Sequence, residues 1–270
     1  MPKLKDIPLL LDLSIDSIHY LVRNEALKVA DIIDNKFYYD KYEGEEDYSE
    51  EEAENLATKR DIYLDDQVEA FKEHIFSHVP LNLIDKVLDP ILLGITQAVK
   101  FKKSKWNHAT LMTKFTKSMY AIIEFSNLMV IPSRRFIDLE KVPKIVRSRL
   151  FNYLPEFVNT TTLILGSGSG GWVTEAFSEK FILGIPYMKK LMHFSLKYDC
   201  IGNILQVLSE TCRKTLRVLD IERSKQIKDD SIHYIIEFKG LVKINLFRTS
   251  ISMEGMVITF QMFSFDLHSQ

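Results

Sequence analysis

The chain has 270 residues, of which 46% are hydrophobic and 27% are charged, a composition typical of a folded globular protein of one large or two small domains. Its 35 basic and 37 acidic residues leave a net charge of −2, which gives no general attraction to nucleic acid or to an anionic membrane. The two cysteines, Cys200 and Cys212, belong to no CxxC pair or Cys/His cluster. We therefore expect reduced thiols in a cytoplasmic or nuclear protein, and no metal site or cofactor.

No early segment has the pattern of a signal peptide, because the apolar run at residues 7–13 is short and contains Asp12. The apolar run at residues 87–99 contains Asp89 and Pro90, and it is shorter than the roughly 20 residues that span a bilayer. We expect a chain that is neither secreted nor inserted in a membrane.

The first half of the chain has mainly helical patterns. Apolar residues at helical spacing predict helices in residues 1–38. Residues 39–64 contain the acidic run YDKYEGEEDYSEEEAE, which offers little to bury, so we predict a linker there. Helical patterns return in residues 65–153, where Pro80 suits a helix start and Pro90 is expected to kink or interrupt the helix. We interpret the basic cluster KFKKSK in this region as a solvated helix end and not as a nucleic-acid site.

The second half contains a repeat whose copies begin with an LxxLxL pattern at Leu191, Leu216 and Leu241. We call the constant spacing of these copies the repeat period. Segments with helical spacing, such as IGNILQVLSETC, separate the copies, and a looser copy lies at residues 161–165. One strand-helix unit cannot bury its apolar face alone, whereas stacked units share a core. We predict an α/β fold in which a short leucine-rich-repeat solenoid, residues 154–270, is capped by the helical region. The apolar positions in register are Leu191, Phe194 and Leu196, then Leu216, Leu219 and Ile221, then Leu241, Ile244 and Leu246.

The side chains between the repeat leucines are expected to share one open face. The segments MHFSLKY, RVLDIER and VKINLFR alternate polar and apolar residues, as strands with one solvated face do. A protein substrate is expected to bind there, with Phe247 as an apolar anchor, because aromatic residues are enriched at interface hot spots. The predicted face comprises His193, Ser195, Lys197, Val218, Asp220, Glu222, Lys243, Asn245 and Phe247.

A glycine-rich segment supports a different hypothesis. Gly166, Gly168 and Gly171 have GxGxxG spacing between a predicted strand and a predicted helix, the context of a dinucleotide-binding loop. An acidic residue, Asp199, follows later than such loops require. The same glycines fit a turn in an irregular first repeat, and alternating strands do not suit a doubly wound sheet. We favour the turn over a nucleotide-binding enzyme, and we predict a non-catalytic protein because no triad, metal set or carboxylate pair stands out.

The period and phrasing of the repeat resemble the cysteine-containing leucine-rich repeats of F-box and related ubiquitin-ligase receptors. The resemblance covers roughly residues 154–263, and its most specific fragments are SETCRKTLRVLDIERSKQIKDDSI and LVKINLFRTSIS. The cysteines Cys200 and Cys212 are each displaced by one position from the usual pattern. The resemblance implies a protein-binding role for the repeats.

Two short segments ahead of the repeats resemble adaptor-binding motifs. The segment LLLDLSIDSI is similar to a BC box, which binds elongin C, although Ser14 stands where cysteine is usual. The segment VPLNLIDKV is similar to a Cullin-2 box. The residues implied to bind adaptors are Leu10, Ser14 and Ile18 in the first segment and Val79, Pro80, Leu83 and Val87 in the second.

A BC box, a Cullin-2 box and leucine-rich repeats, in this order, resemble the layout of Zer/Zyg substrate receptors of Cullin-2 ubiquitin ligases. The resemblance implies a substrate-recognition subunit of a cullin-RING ligase, with elongin B/C, Cullin-2 and a protein substrate as partners. The segment VPLNLIDKVLDPIL also resembles a degenerate F-box, which would bind Skp1 and Cullin-1 instead. A leucine-rich-repeat scaffold without a ligase role is the remaining alternative.

Overall fold

The protein divides into two compact units, Met1–Met129 (unit 1) and Val130–Gln270 (unit 2). Unit 2 thus begins earlier than the repeats predicted from residue 154. The computed structural model describes residues 6–37, 50–77, 79–80, 83–106, 112–140, 142–167 and 175–266.

Unit 1 is helical in its described parts, and α1 packs against α3 and α4. The buried side chains of α1 recur at helical spacing, as the sequence pattern predicts. A Cβ at Gly94 of α3 would lie 2.6 Å from the carbonyl oxygen of His19, so glycine permits the close approach of α1 and α3. The helices are α1 (Asp6–Lys36), α2 (Glu50–Phe76), α3 (Ile84–Lys105) and α4 (Met112–Glu124), followed by a 3-10 turn at Phe125–Met129.

Helix α2 corrects the linker prediction. The helix begins at Glu50, so residues 50–64 are helical, and only residues 39–49 of the predicted linker lie outside the described residues. Glutamates are good helix formers and interact favourably with the dipole in a first helical turn. Leu64 and Val68 bury the helix in the core of unit 1. Helix α3 also continues through Pro90 without interruption.

Unit 2 contains a five-stranded sheet in which every strand is parallel to its neighbours. The strand order follows the chain order, and helical segments connect the strands. A doubly wound sheet requires a reversal of strand order, so the described strands exclude that fold. The strands are β1 (Phe136–Asp138), β2 (Thr162–Ser167), β3 (His193–Lys197), β4 (Val218–Asp220) and β5 (Lys243–Asn245).

Helices between and after the strands complete unit 2 and confirm the predicted mixture of strands and helices. The segment DDSIHYIIEFK forms only a 3-10 turn, Asp229–Ser231, and one helical turn, which is less helix than its spacing predicts. Strand β1 lies in a region predicted to be helical. The helices are α5 (Lys144–Leu150), α6 (Glu175–Gly184), α7 (Gly202–Cys212), α8 (Ile232–Ile235) and α9 (Met253–Asp266).

The register of the sheet aligns one inward apolar residue from each strand. Along the chain, these residues are evenly spaced over the last three strands, and the repeat period of the sequence is therefore the register of β3, β4 and β5. All but the last are fully buried, and they form the core between the sheet and its helices. The aligned residues are Ile137, Leu163, Phe194, Leu219 and Ile244.

One pattern of backbone hydrogen bonds recurs at the starts of β2, β3, β4 and β5. The carbonyl oxygens of Arg135, Thr161, Met192 and Arg217 each accept hydrogen bonds from two consecutive N–H groups of the next unit. After β3, β4 and β5, the non-glycine residues with positive φ are Tyr198, Arg223 and Arg248, again one repeat period apart. The units of β3, β4 and β5 therefore share the same backbone geometry at both ends of their strands.

Candidate functional site

One face of the sheet carries the side chains that point away from the helices, and we call it the strand face. Across neighbouring strands these side chains are aligned in three rows. Row one is Phe136, Thr162, His193, Val218 and Lys243; row two is Asp138, Ile164, Ser195, Asp220 and Asn245; row three is Glu140, Lys197, Glu222 and Phe247.

All nine residues predicted for the open face lie in these rows. Their exposure varies, since Ser195 is buried and Lys243 and Phe247 are exposed. The other six are partly buried between neighbouring strands. The strand face is therefore a continuous surface built from residues far apart in the chain.

A basic side chain lies between two acidic ones near the centre of the strand face. The Lys197 ammonium is 3.8 Å from Glu140 Oε1 and 3.7 Å from Asp220 Oδ2. Ser195 Oγ donates a hydrogen bond of 3.4 Å to the same Asp220 oxygen. These contacts span β1 to β4, and their partly exposed setting makes them orienting contacts more than sources of stability.

A second charged cluster lies at the carboxyl ends of the strands. Arg223 forms an ion pair of 3.1 Å with Glu222 and donates a hydrogen bond to the Tyr198 hydroxyl. Its guanidinium also lies 5.2 Å from the centre of the Tyr198 ring, within the range of a cation–π contact. Arg248 lies similarly over Phe247, at 5.1 Å. An arginine thus borders row three in each of the last two units.

The acidic and amide side chains of row two have a local structural role that sequence reasoning missed. The side-chain oxygen of Asp138 accepts a hydrogen bond from the backbone N–H two residues later, and Asp220 and Asn245 do the same. Such Asx turns let Asp and Asn end a strand. The signal was readable, because each of these three strands ends in Asp or Asn. Asp220 and Asn245 therefore shape the strand face as well as lining it.

Burial lowers the pKa of His193, outweighing the attraction of Asp220. Because the ordinary pKa of histidine is near 6.5, a lowered value leaves the imidazole neutral at pH 7. Row one thus combines a neutral histidine with an exposed Phe136 and a half-buried Val218.

Three exposed apolar side chains in row one or directly before it were not predicted from the sequence. Phe136, Met192 and Val242 are large apolar side chains that remain exposed. Phe136 was missed because β1 lies in a region predicted to be helical, and polar and apolar residues alternate only over residues 137–140. Phe136 therefore adds an exposed aromatic side chain to the strand face.

The glycine motif is only partly described. Gly166 has a φ of +66°, and a Cβ there would lie 2.7 Å from the Glu140 Cα. The pairing of β2 with β3 shifts register between Ile164 and Ser167. These features fit the predicted irregular turn. Gly168 and Gly171 lie outside the described residues.

Asp199, the acidic residue considered as a nucleotide ligand, is buried. It stands one repeat period before Ser224 and two before Thr249. Ser224 Oγ accepts a hydrogen bond from the Cys200 N–H and donates one to the Leu196 carbonyl, and Thr249 Oγ1 donates to the Leu246 carbonyl. Burial raises the pKa of Asp199 to about 6, against the opposing charges of Arg147 and Lys144. A carboxyl group thus occupies a repeat position that holds a hydroxyl in the next two units.

The residues implied to bind adaptors lie in unit 1 and have different surroundings. The side chains of Leu10 and Ser14 lie outside the described residues, and Ile18 is half-buried. Pro80 is exposed, and Val87 is buried in the core of unit 1. Val79 and Leu83 are half-buried.

Both cysteines are buried and reduced. Burial raises the pKa of the Cys200 thiol, and it raises the pKa of the Cys212 thiol to about 11. The Cys212 thiol donates a hydrogen bond to the Met188 carbonyl. These protonated thiols are packing groups, since the thiolate is the reactive form.

Among the described residues, no group of three His, Cys, Asp or Glu side chains is placed to hold a metal ion. None of the helices in the described part of the chain combines the length and apolar character needed to cross a membrane. Comparisons with family models, with curated proteins and with solved structures found no match to this chain. Function is therefore inferred from the geometry of the two units.

Proposed function

We propose that this chain is a non-catalytic protein-binding protein, in which unit 2 is a short array of leucine-rich repeats and the strand face binds a protein partner. The observation that carries the proposal is the register of β3, β4 and β5, which aligns residues one repeat period apart into rows on one face. Repeat proteins use such one-sided surfaces to bind extended partners.

The size and chemistry of the strand face suit a protein more than a small molecule. Phe136 on β1 and Phe247 after β5 lie four strand spacings apart, roughly 19 Å at the usual spacing of parallel strands. Between them the face alternates charged, polar and apolar groups. Two exposed aromatic side chains at opposite ends are natural anchors for a protein surface, since aromatic residues are enriched at hot spots.

Binding can be tested with variants of the two anchors. The tagged full chain is used to capture and identify partners, and the capture is repeated with Phe136→Asp and Phe247→Asp together. We expect a true partner to bind at least tenfold more weakly, while Leu183→Asp, an exposed change on α6, leaves binding intact. A partner that binds all three chains equally would exclude the strand face as its site.

A second candidate is the narrower role of substrate receptor in a cullin-RING ubiquitin ligase. Residues 10, 14 and 18 fall within the continuous helix α1, as the resemblance to a BC box requires, and Pro80 is exposed. Val87 is buried, so it would stabilise unit 1 and not contact a cullin. A scaffold without a ligase role makes the same use of the strand face and differs only in lacking an adaptor.

Co-expression with adaptors separates the receptor from the scaffold. In a receptor of the Zer/Zyg kind, elongin B/C is expected to co-purify with the chain, and Leu10→Asp is expected to abolish this. Glu52→Lys, an exposed change on α2, serves as the control. Co-purification of Skp1 instead would favour the F-box alternative, and failure of both adaptors would leave the scaffold.

A further inference from the structure

The charged side chains of β4 on the strand face already contact opposite charges. Asp220 Oδ2 lies 3.7 Å from the Lys197 ammonium, and Glu222 forms an ion pair of 3.1 Å with Arg223. Each acidic side chain that this strand contributes to the face therefore has a basic neighbour. The fields of these acidic groups are partly cancelled within the chain, so they offer less attraction to a basic partner.

The unit of β5 carries only basic charges. Residues 238–253 contain Lys239, Lys243 and Arg248 but no acidic residue. Lys243 in row one and Arg248 beside row three are both exposed. Within the described part of the chain, neither of these two side chains forms an ion pair with an acidic one. This end of the strand face therefore presents two positive charges to a partner.

An exposed aromatic ring lies next to these charges. Phe247 is 56% exposed, and the Arg248 guanidinium lies 5.1 Å from the centre of its ring. A guanidinium that stacks on a ring keeps N–H groups at its edge that can bind a carboxylate. Lys243 precedes Phe247 by four residues on the same face, roughly 13 Å at the usual rise of a parallel strand. We call Lys243, Asn245, Phe247 and Arg248 the basic patch.

The opposite end of the strand face has charges of both signs. Near Phe136 of β1, the exposed charged side chains are Arg135, Asp138 and Glu140. Glu140 also lies 3.8 Å from the Lys197 ammonium. The two exposed aromatic side chains of the face thus have different electrostatic surroundings, and only Phe247 lies in a unit without acidic groups.

We propose that the basic patch binds an acidic segment of the protein partner, in which negatively charged side chains flank an apolar one. The apolar side chain packs on Phe247, and the acidic ones pair with Arg248 and Lys243. Arginine binds carboxylates with two parallel hydrogen bonds, and charge complementarity of this kind selects among partners and speeds association. This inference rests on the proposed function, in which the strand face binds a protein, and it adds the chemistry of that protein.

A nucleic acid suits the basic patch less well than an acidic peptide. The closely spaced phosphates of a nucleic acid strand would lie next to Asp220 and Glu222 on the neighbouring strand, and the chain as a whole has a net charge of −2. A peptide can place separate acidic side chains at Lys243 and Arg248 and an apolar side chain between them. Its charges therefore need not meet the acidic groups of β4.

Selection from a library of random heptapeptides, displayed on phage and captured by the full chain, tests the proposal. We expect the enriched peptides to carry acidic residues beside an aromatic or aliphatic one. The same selection with Lys243→Glu/Arg248→Glu should enrich basic peptides instead, because the variant reverses the charge of the patch. Both substituted side chains are exposed, so the circular dichroism spectrum should not change.

The affinity of one enriched peptide for each variant gives the matched comparison. Lys243→Glu/Arg248→Glu should weaken binding by at least about tenfold, since it replaces two attractions by two repulsions. Lys214→Glu/Lys239→Glu makes the same change of charge at exposed residues outside the three rows and should leave the affinity within about twofold, because exposed charges at a distance are largely screened. The affinity for the unmodified chain should also fall as the salt concentration rises.

Three results would overturn the proposal. They are a library that yields no binder, enriched peptides without an acidic bias, and an affinity that Lys243→Glu/Arg248→Glu leaves unchanged. A single-stranded oligonucleotide that binds the patch more tightly than the peptides would also overturn it. The variant Phe136→Asp/Phe247→Asp separates this failure from failure of the proposed function. Peptides without an acidic bias that lose affinity for that variant would leave the strand face as a protein-binding site, whereas peptides that bind it normally would count against both.

Discussion

The early units of the sheet contain β1 and β2, and the late units contain β3, β4 and β5. The two groups differ in the residue at the first leucine position of the repeat, which is Leu191, Leu216 and Leu241 in the late units. Two late units bury leucine there and the third half-buries one, whereas the early units bury Arg134 and Thr160. Arg134 Nε donates to the Phe136 carbonyl, and Thr160 Oγ1 donates to the Arg134 carbonyl. A buried repeat position thus tolerates a polar side chain when that side chain bonds to nearby backbone.

The largest effect is expected where the early and late units meet. Phe194→Ala removes a fully buried ring that lies between Leu163 of β2 and Leu219 of β4, and it should lower the free energy of unfolding by about 3–5 kcal/mol. Urea denaturation measures the loss. The late unit also gives a control, since Val218→Ala changes a half-buried side chain on the strand face and should cost far less. Equal losses for the two variants would contradict the described core.

The next effect concerns the irregular turn after β2. Gly166→Ala introduces a side chain at a φ of +66° and against the backbone of Glu140, which should cost about 1–3 kcal/mol of stability. Gly202→Ala in α7 is the matched control, because its nearest neighbour, Ser231 Oγ, lies at 3.5 Å. We expect that variant to be neutral or slightly stabilised. Similar thermal denaturation of both variants would rule out strain at Gly166.

The contrast also explains what could be predicted from the sequence. The late units have leucine-like residues at the same three positions of every repeat period, so their strands and their spacing could be predicted from the sequence alone. In the early units, Arg134 and Thr160 interrupt the apolar pattern, and the interval from Leu163 to Phe194 is the longest between aligned residues of neighbouring strands. Strand β1 was therefore missed, together with Phe136 on the strand face.

The linker prediction for the acidic segment was wrong for a different physical reason. Low hydrophobicity predicted a linker over residues 39–64, but glutamate favours helix, and α2 needs only a few buried side chains such as Leu64 and Val68 to pack. The contacts of Lys197 could not be predicted either, because they depend on the register between neighbouring strands. A single sequence shows the alternation of side chains within a strand but not the partner that lies across from each one.

Asp199 is a carboxyl group at a repeat position that holds a hydroxyl in the next two units, so its effect on stability should depend on pH. Because burial raises its pKa from 3.8 to about 6, the folded state holds a proton that the unfolded state has lost between these values. The contribution of Asp199 to the free energy of unfolding should therefore fall as the pH rises from 4 to 6. Asp199→Asn should remove this fall and be more stable than the unmodified chain at pH 7 by about 1–2 kcal/mol.

The control for this measurement is the matching position of the next unit. Urea denaturation at pH 4 and pH 7 is compared for Asp199→Asn and for Ser224→Ala, which removes a buried hydroxyl that carries no charge. The stability difference between Asp199→Asn and the unmodified chain should shrink toward zero at pH 4, whereas that of Ser224→Ala should not change with pH. A pH-independent gain in Asp199→Asn would mean that the carboxyl group is ionised at low pH like an exposed one.

The smallest effect is expected at the link between the early and late units on the strand face. Lys197→Met keeps the aliphatic part of the side chain and removes the charge between Glu140 and Asp220, at 3.8 and 3.7 Å. Such partly exposed pairs contribute about 0–1 kcal/mol, and the two acidic groups lose their common partner. We therefore expect a loss below about 1 kcal/mol that shrinks at high salt, because salt screens exposed charges. Thermal denaturation at low and high salt measures it, with Lys225→Met as the exposed control, and a larger loss that salt does not change would show that Lys197 contributes mainly by packing.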